Sequence, residues 1–246
     1  MQKTILTIAG SDPSGGAGAQ ADLKVFADHG LYGLSAITAL TAQNSSEVVA
    51  SVPVSSEFLK MQVEVLLDEF RPLAVKTGMT ATASNIRAIC RIIKAHSLRN
   101  VVVDTVMRST LGFSLLDRQG LAELKRLVAL SVIATPNIPE AAVLAGIEIR
   151  GIAGMEEAAR FIHRLGPACV LVKGGHLAGT PVDVLFDGER FYHFSGRRLK
   201  GDKKRFHGTG CILSSAIASN LANGKSIAGS VDHARKYLHS VLIGRR

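Results

Sequence analysis

The chain has 246 residues, enough for one large α/β domain, residues 1–246, with a generous core. It contains no run of 18 or more apolar residues and no basic-then-apolar leader, which argues against a membrane span or a signal peptide and for a soluble, cytoplasmic protein. The net charge of +9 points to an anionic partner, while Cys90, Cys169 and Cys211, odd in number and in no C-x-x-C pair, argue against a disulfide framework or a zinc site.

In chain order, residues 4–9 (TILTIA) form a β-rich apolar run that breaks into the glycine-rich turn 10–18. A strand that ends in such a turn and leads into a helix is where α/β proteins place ligands. The turn lacks the Lys-Ser/Thr of a P-loop and the order G-x-G-x-x-G, so neither nucleotide fingerprint is met, and a surface turn without a ligand fits equally. The helix at 19–29 carries Asp22 in its first turn, where a carboxylate either complements the helix dipole or faces a ligand.

Strands are expected at 32–41, running on to Gln43 and Asn44, and at 48–54. Apolar residues recur at three- and four-residue spacing through 55–70 and 83–96, marking two amphipathic helices. Between them 73–77 reads as a short buried strand with Gly78 and Met79 at its end, and 101–103 reads as a strand closed by Asp104. A polar, glycine-bearing stretch at 105–117 precedes a helix at 121–130 and a strand at 132–134. Pro139 is placed to open a helix, with Glu140 in its first turn.

A helix at 156–165 and a strand at 169–172 follow, the strand ending in Lys173-Gly174-Gly175-His176. Residues 182–186 and 191–194 flank Asp187-Gly188 as a hairpin, and the last helix covers 227–242. Arg197, Arg198, Lys200, Lys203, Lys204 and Arg205 form a basic cluster. Its simplest use is to steer polyphosphate, against a solvated loop or nucleic-acid binding. The last is disfavoured because no aromatics interleave the charges.

The stretch 206–224 (FHGTGCILSSAIASNLANG) leads glycines straight into a helix, which leaves backbone N–H groups at the positive end of the dipole as a seat for phosphate. Cys211 lies in the first turn, where that field is expected to lower its pKa if the thiol is exposed. A tight turn into a buried helix, with Cys211 as a small core residue, is the other reading. Strands alternating with helices imply a mainly parallel sheet covered on both faces. The strand ends carry the polar residues, namely the turn 10–18, Gln43, residues 76–79, Asp104, Asn137 with Glu140, and Lys173, so they converge on one edge of that sheet.

Seven segments in this order, AGSDPSGGAGAQADLK, TALTAQNS, KTGM, VVVDTVM, TPNIPEA, VKGGH and HGTGC-x-LSSAIA, closely resemble the hydroxymethylpyrimidine and phosphomethylpyrimidine kinases of thiamine biosynthesis, within the ribokinase-like superfamily. The resemblance covers about residues 4–224. It implies a three-layer α/β/α sandwich and ATP- and Mg2+-dependent phosphorylation of 4-amino-5-hydroxymethyl-2-methylpyrimidine, followed by that of its monophosphate. It makes Cys211 the general base and the N–H groups of Gly208, Thr209 and Gly210 an anion hole. Gly10, Asp22, Gln43, Met79 and Val106 would line the pyrimidine pocket, Asp104 and Glu140 would act on magnesium, and Lys173, with Thr209, would contact the nucleotide. A homodimer with no nucleic-acid or membrane partner is implied too. The chain departs from the family pattern at 108–113 and lacks the glycine-rich tail common in the family. Pyridoxal or pyridoxine kinase on the same scaffold is the nearest alternative. A non-catalytic nucleotide- or vitamer-binding relative is another.

Overall fold

Alternation along the strands divides the apolar residues between two opposite faces of one sheet, and each face then requires a layer of helices. In this computed structural model, which describes residues 2–44, 46–109, 112–175, 177, 179–198 and 206–244, both layers are present. From edge to edge the strands run β3 (Val48–Pro53), β2 (Tyr32–Gln43), β1 (Thr4–Ser11), β4 (Val75–Thr77), β5 (Val101–Val103), β6 (Ile133–Ala134), β7 (Cys169–Val172), β8 (Val182–Phe186) and β9 (Phe191–Ser195). The six strands from β2 to β7 pair in parallel, while β3, β8 and β9 add antiparallel edges.

One core joins Leu6, Ile8, Val75, Val101, Val103 and Val172 to α2 (Ser56–Glu69), α3 (Ala83–Ala95), α4 (Gly120–Val128), α5 (Ile138–Ala145) and α6 (Gly151–His163). The other joins Ile5, Ala74, Val102, Ile133 and Leu171 to α1 (Gly18–Asp28), α7 (Thr209–Ala222) and α8 (Ile227–Gly244). This is the expected three-layer α/β/α sandwich with a mainly parallel sheet. Local chemistry sets the helix starts: Ser55 and Thr82 accept N–H bonds as N-caps, and Asn137 with Glu140 closes a capping box on α5. From Ile212 to Ala222 every residue of α7 is buried, and its alanines and serines let it lie close against the sheet.

The sheet order reverses direction at β1, whose neighbours are β2 on one side and β4 on the other. Parallel α/β sheets place their ligand crevice outside the carboxyl ends of the strands at such a point. Helix boundaries differ from expectation in two places that matter. Helix α6 begins at Gly151, five residues before the expected start at 156, and Met155 in that added turn is buried. Helix α1 begins at Gly18, so Asp22 falls beyond its first turn and does not serve the helix dipole. Among the described residues no helix is long and apolar enough to cross a membrane. Cys90, Cys169 and Cys211 are free thiols.

Candidate active site

Outside the carboxyl ends of β1, β4, β5, β6 and β7 lies a cavity of about 1120 Å3. At one end it is lined by Gly10, Gln43, Met79 and Val106. The Met79 thioether lies across Gly10, where an added Cβ would come 2.9 Å from the sulfur and the methionine side chain would have to shift. Thr38 donates to the Met79 carbonyl at 2.5 Å and fixes the loop that presents it.

Helix α7 opens onto the middle of the cavity. Its N-cap is Gly208, held in the left-handed region at φ 75, with no side chain capping the helix. An added Cβ there would stand 1.9 Å from the Gly16 carbonyl oxygen, so the two glycine loops are in backbone contact. The Thr209 N–H is taken by the Phe206 carbonyl at 3.3 Å, and its hydroxyl donates to the same oxygen at 3.1 Å. Among the described residues the N–H groups of Gly210 and Cys211 have no backbone acceptor, and both residues line the cavity. Of the three amides expected to seat an anion, that of Thr209 is engaged by its own turn, whereas those of Gly208 and Gly210 have no backbone acceptor among the described residues.

Lys173 stands beside this helix end. Its Nζ donates to Asp104 Oδ1 at 2.8 Å, and an added Cβ on Gly210 would lie 3.3 Å from that nitrogen and 3.7 Å from Asp104 Oδ2. Asp104 Oδ2 accepts from Ser214 at 3.3 Å. Burial opposes the charge of Asp104, but Lys173 and Lys76 outweigh it and hold the carboxyl below its ordinary value. Glu140 differs: burial, and then the charge of Asp104, push its carboxyl upward against the pull of Lys173. Its Oε2 accepts from Thr105 at 3.0 Å and from the Asn137 N–H at 2.9 Å. Both Asp104 and Glu140 line the cavity.

Asp22 is not at the cavity surface, contrary to expectation. Its carboxylate is fully buried and accepts from Thr7 at 2.6 Å, Ser215 at 2.6 Å and Lys76 Nζ at 2.8 and 2.9 Å. With both oxygens saturated by the protein it has nothing to offer a ligand; it anchors Lys76, which does line the cavity. A second departure concerns Cys211. Its thiol is pushed up to about 11, not lowered, because loss of solvent outweighs the help of Lys76 and of the Gly18 N–H on the sulfur, while Asp104 and Asp22 push the same way as burial.

Two further features escape sequence reasoning. His207 pairs with Asp12 at 2.8 Å across the two glycine loops. The far end of the cavity is formed by β8, β9 and α8, where Arg235 pairs with Asp183 at 2.7 Å and lies 5.7 Å from the Phe194 ring centre. Neither pairing has a local sequence signature, since the partners are far apart in the chain. Lys76 did carry one: a lysine inside an apolar strand is almost never buried without a partner. Arg197 and Arg198 of the basic cluster line this end, whereas Lys200, Lys203, Lys204 and Arg205 lie outside the described residues, as do Ser45, Thr110, Leu111 and His176.

A sequence model of the phosphomethylpyrimidine kinase family matches residues 12–245. The hydroxymethylpyrimidine/phosphomethylpyrimidine kinase of Rhizobium meliloti (strain 1021) is 42% identical over 98% of this chain and 91% of its own length. Among solved structures, the phosphomethylpyrimidine kinase of Clostridium difficile 630 superposes with a TM-score of 0.87 at 40% identity, covering 98% of this chain and 100% of that one. The Bacillus subtilis pyridoxal kinase in its ADP complex also reaches 0.87, at 34% identity, covering 96% and 90%. The chain spans about half the length of other curated relatives, for example 49% of the thiamine biosynthesis bifunctional protein ThiED of Geobacter sulfurreducens, to which it is 44% identical over 97% of its own length. The fold is the ribokinase-like one, and the chain belongs to the phosphomethylpyrimidine kinase family.

Proposed function

We propose that the chain, acting as a single domain, transfers the terminal phosphoryl group of ATP to the hydroxymethyl arm of 4-amino-5-hydroxymethyl-2-methylpyrimidine, and then phosphorylates the monophosphate. The carrying observation is a helix end whose Gly210 and Cys211 amides have no backbone acceptor among the described residues, in a cavity also lined by Lys173, Gly10, Gln43, Met79 and Val106. Phosphoryl transfer asks mainly for positioning and for stabilisation of charge on the transferring group. Open amides and a lysine supply that. The cavity volume of about 1120 Å3 exceeds what one small ligand fills and accommodates acceptor and nucleotide together.

Asp104 and Glu140 fit Mg2+: two buried carboxylates face one cavity, and burial together with the charge of Asp104 opposes the charge of Glu140, which a cation between them would relieve. Mg2+ is held by one or two carboxylates plus phosphate oxygens and waters, so no larger acidic cluster is needed. When bound it would neutralise charge on the nucleotide phosphates. In this reading Lys173 and Thr209 belong to the nucleotide side, Gln43 meets the pyrimidine edge, and Cys211 is the base that receives the hydroxyl proton. With a thiol near 11, that last role makes turnover climb with pH through the neutral range.

The pyridoxal kinase of Bacillus subtilis superposes as well as the pyrimidine kinase, which favours pyridoxal as the second substrate to test. Purified protein with MgATP and each acceptor, products read by mass, decides between them: the reading requires the higher kcat/KM for the pyrimidine, and no pyrimidine phosphate at all overturns it. A homodimer is part of the proposal, because β2, β3 and α2 expose Leu40, Val49, Val52, Phe58, Met61 and Val65 on the outer edge of the sheet.

A further inference from the structure

His207 sits immediately before the helix end, and its surroundings tie that end to the turn after β1. The imidazole Nε2 is 2.8 Å from Asp12 Oδ2, in a pair whose side chains are 16% and 4% exposed and whose residues are 195 apart in sequence. Asp12 is fastened within its own turn: Oδ1 accepts from the Ser14 N–H at 2.9 Å and the Ser14 hydroxyl at 2.7 Å, and Oδ2 accepts from the Ala17 N–H at 2.8 Å. The ring lies against Gly16, where a Cβ would come 2.5 Å from His207 Cδ2, and the next residue, Gly208, backs onto the Gly16 carbonyl. The same ring nitrogen is 3.4 Å from Gln43 Nε2. One imidazole therefore touches the turn after β1, the residue expected at the pyrimidine edge, and the peptide that opens α7.

We propose that His207 is a positioning residue: clasped by Asp12, it locks the two glycine loops in contact and thereby sets the aim of the Gly210 and Cys211 amides at the transferring phosphoryl group. The inference rests on the phosphotransfer reading given above. Its physical basis is that the amides act only if the backbone before them is immobile, and that Gly208, in the left-handed region with no side chain, has no rigidity of its own. A part-buried, charge-assisted hydrogen bond from a ring with two torsions supplies that rigidity at small entropic cost. The pair does not need to touch substrate for this.

The test compares wild type, His207→Ala and His207→Gln, the last carrying an N–H donor at the reach of the imidazole Nε2. Steady-state kinetics with MgATP and hydroxymethylpyrimidine should show kcat falling about a hundredfold in His207→Ala, with the nucleotide KM within about threefold, and at least a tenfold recovery in His207→Gln. A kcat within threefold of wild type in His207→Ala, an equal loss in both variants, or a change confined to KM overturns the proposal. Should His207→Ala not fold, Asp12→Asn and His207→Asn carry the comparison, and normal kcat in both overturns it. If wild type itself turns over neither acceptor, the phosphotransfer reading fails separately. The clasp is then read from amide hydrogen exchange at Gly210 and Cys211, expected to quicken about tenfold in His207→Ala; unchanged exchange refutes the clasp.

Discussion

In the ligand-free protein Cys211 should be a thiol at neutral pH, although it opens a helix. Its value of about 11 against the ordinary 9.0 is equivalent to about 3 kcal/mol against the anion. At pH 7.5 the thiolate share falls from about three in a hundred to about three in ten thousand. Burial is the largest cause, Asp104 and Asp22 add to it, and Lys76 and the Gly18 N–H oppose it. The check is the rate of iodoacetamide alkylation of the Cys211 peptide, followed by mass from pH 6.5 to 11.5, with near-ultraviolet circular dichroism confirming the fold. Slow access lowers every rate equally, so the midpoint and not the absolute rate is the readout. The rate should keep rising with unit slope past pH 9.5, and Lys76→Met should move the midpoint further upward. A plateau with its midpoint at or below 8.5 would refute the reasoning, since the helix field and Lys76 would then outweigh burial.

Three other outcomes follow from the same geometry. Lys76→Met leaves the Asp22 carboxylate buried without its cation and should cost about 3–5 kcal/mol, lowering Tm by roughly 10 °C, while Asp22→Asn added to it recovers part of the loss; additive melts from the two single variants and the double would contradict the pairing. Asp12 is held at about 2, burial being overcome by the hydrogen bonds from His207, Ser14 and Ala17, so its folded value lies below its unfolded one. That contribution, about 2 kcal/mol, is complete above about pH 5 and is lost as pH falls from about 4 to 2, and urea melts should show Asp12→Asn flattening this acid limb. Gly208→Ala should cost about a hundredfold in turnover because its Cβ meets the Gly16 carbonyl, whereas Gly224→Ala, at φ 83 with nothing within 4 Å, should lower stability by about 1 kcal/mol and leave turnover intact.

What could be read from the sequence was what is encoded locally. Apolar spacing and turn residues placed the strands and helices, and because parallel strands point their carboxyl ends one way, the polar residues at those ends had to share an edge. Gly10, Gln43, Met79, Val106, Asp104, Glu140 and Lys173 all reached the cavity for that reason. Asp22 did not, and the difference is one of depth. Its position on α1 was legible, but whether a carboxylate faces ligand or lysine depends on which strand residue lies opposite, and Lys76 is 54 residues away. The pKa of Cys211 failed in the same manner: the helix field is local and visible, whereas loss of solvent and the charges of Asp22 and Asp104 arise only from packing.

The arrangement around Cys211 explains why burial can be tolerated there at all. Two cations, Lys76 and Lys173, are each held by a buried aspartate, Asp22 and Asp104, so the floor of the cavity carries nearly balanced charge before any ligand arrives. Such pairs add little net stability, because desolvation of each ion consumes most of the attraction. Their use is geometric: Asp22, saturated by Thr7, Ser215 and Lys76, cannot swing toward a phosphate and repel it, and Lys76 cannot collapse onto Cys211. On the other side, Glu140 is the group whose charge is least comfortable, since burial and Asp104 both oppose it. The imbalance therefore sits at the Asp104 and Glu140 end, where a divalent cation lowers the free energy most, and away from the thiol, whose proton is lost more readily once positive charge is added to a cavity that lacks solvent.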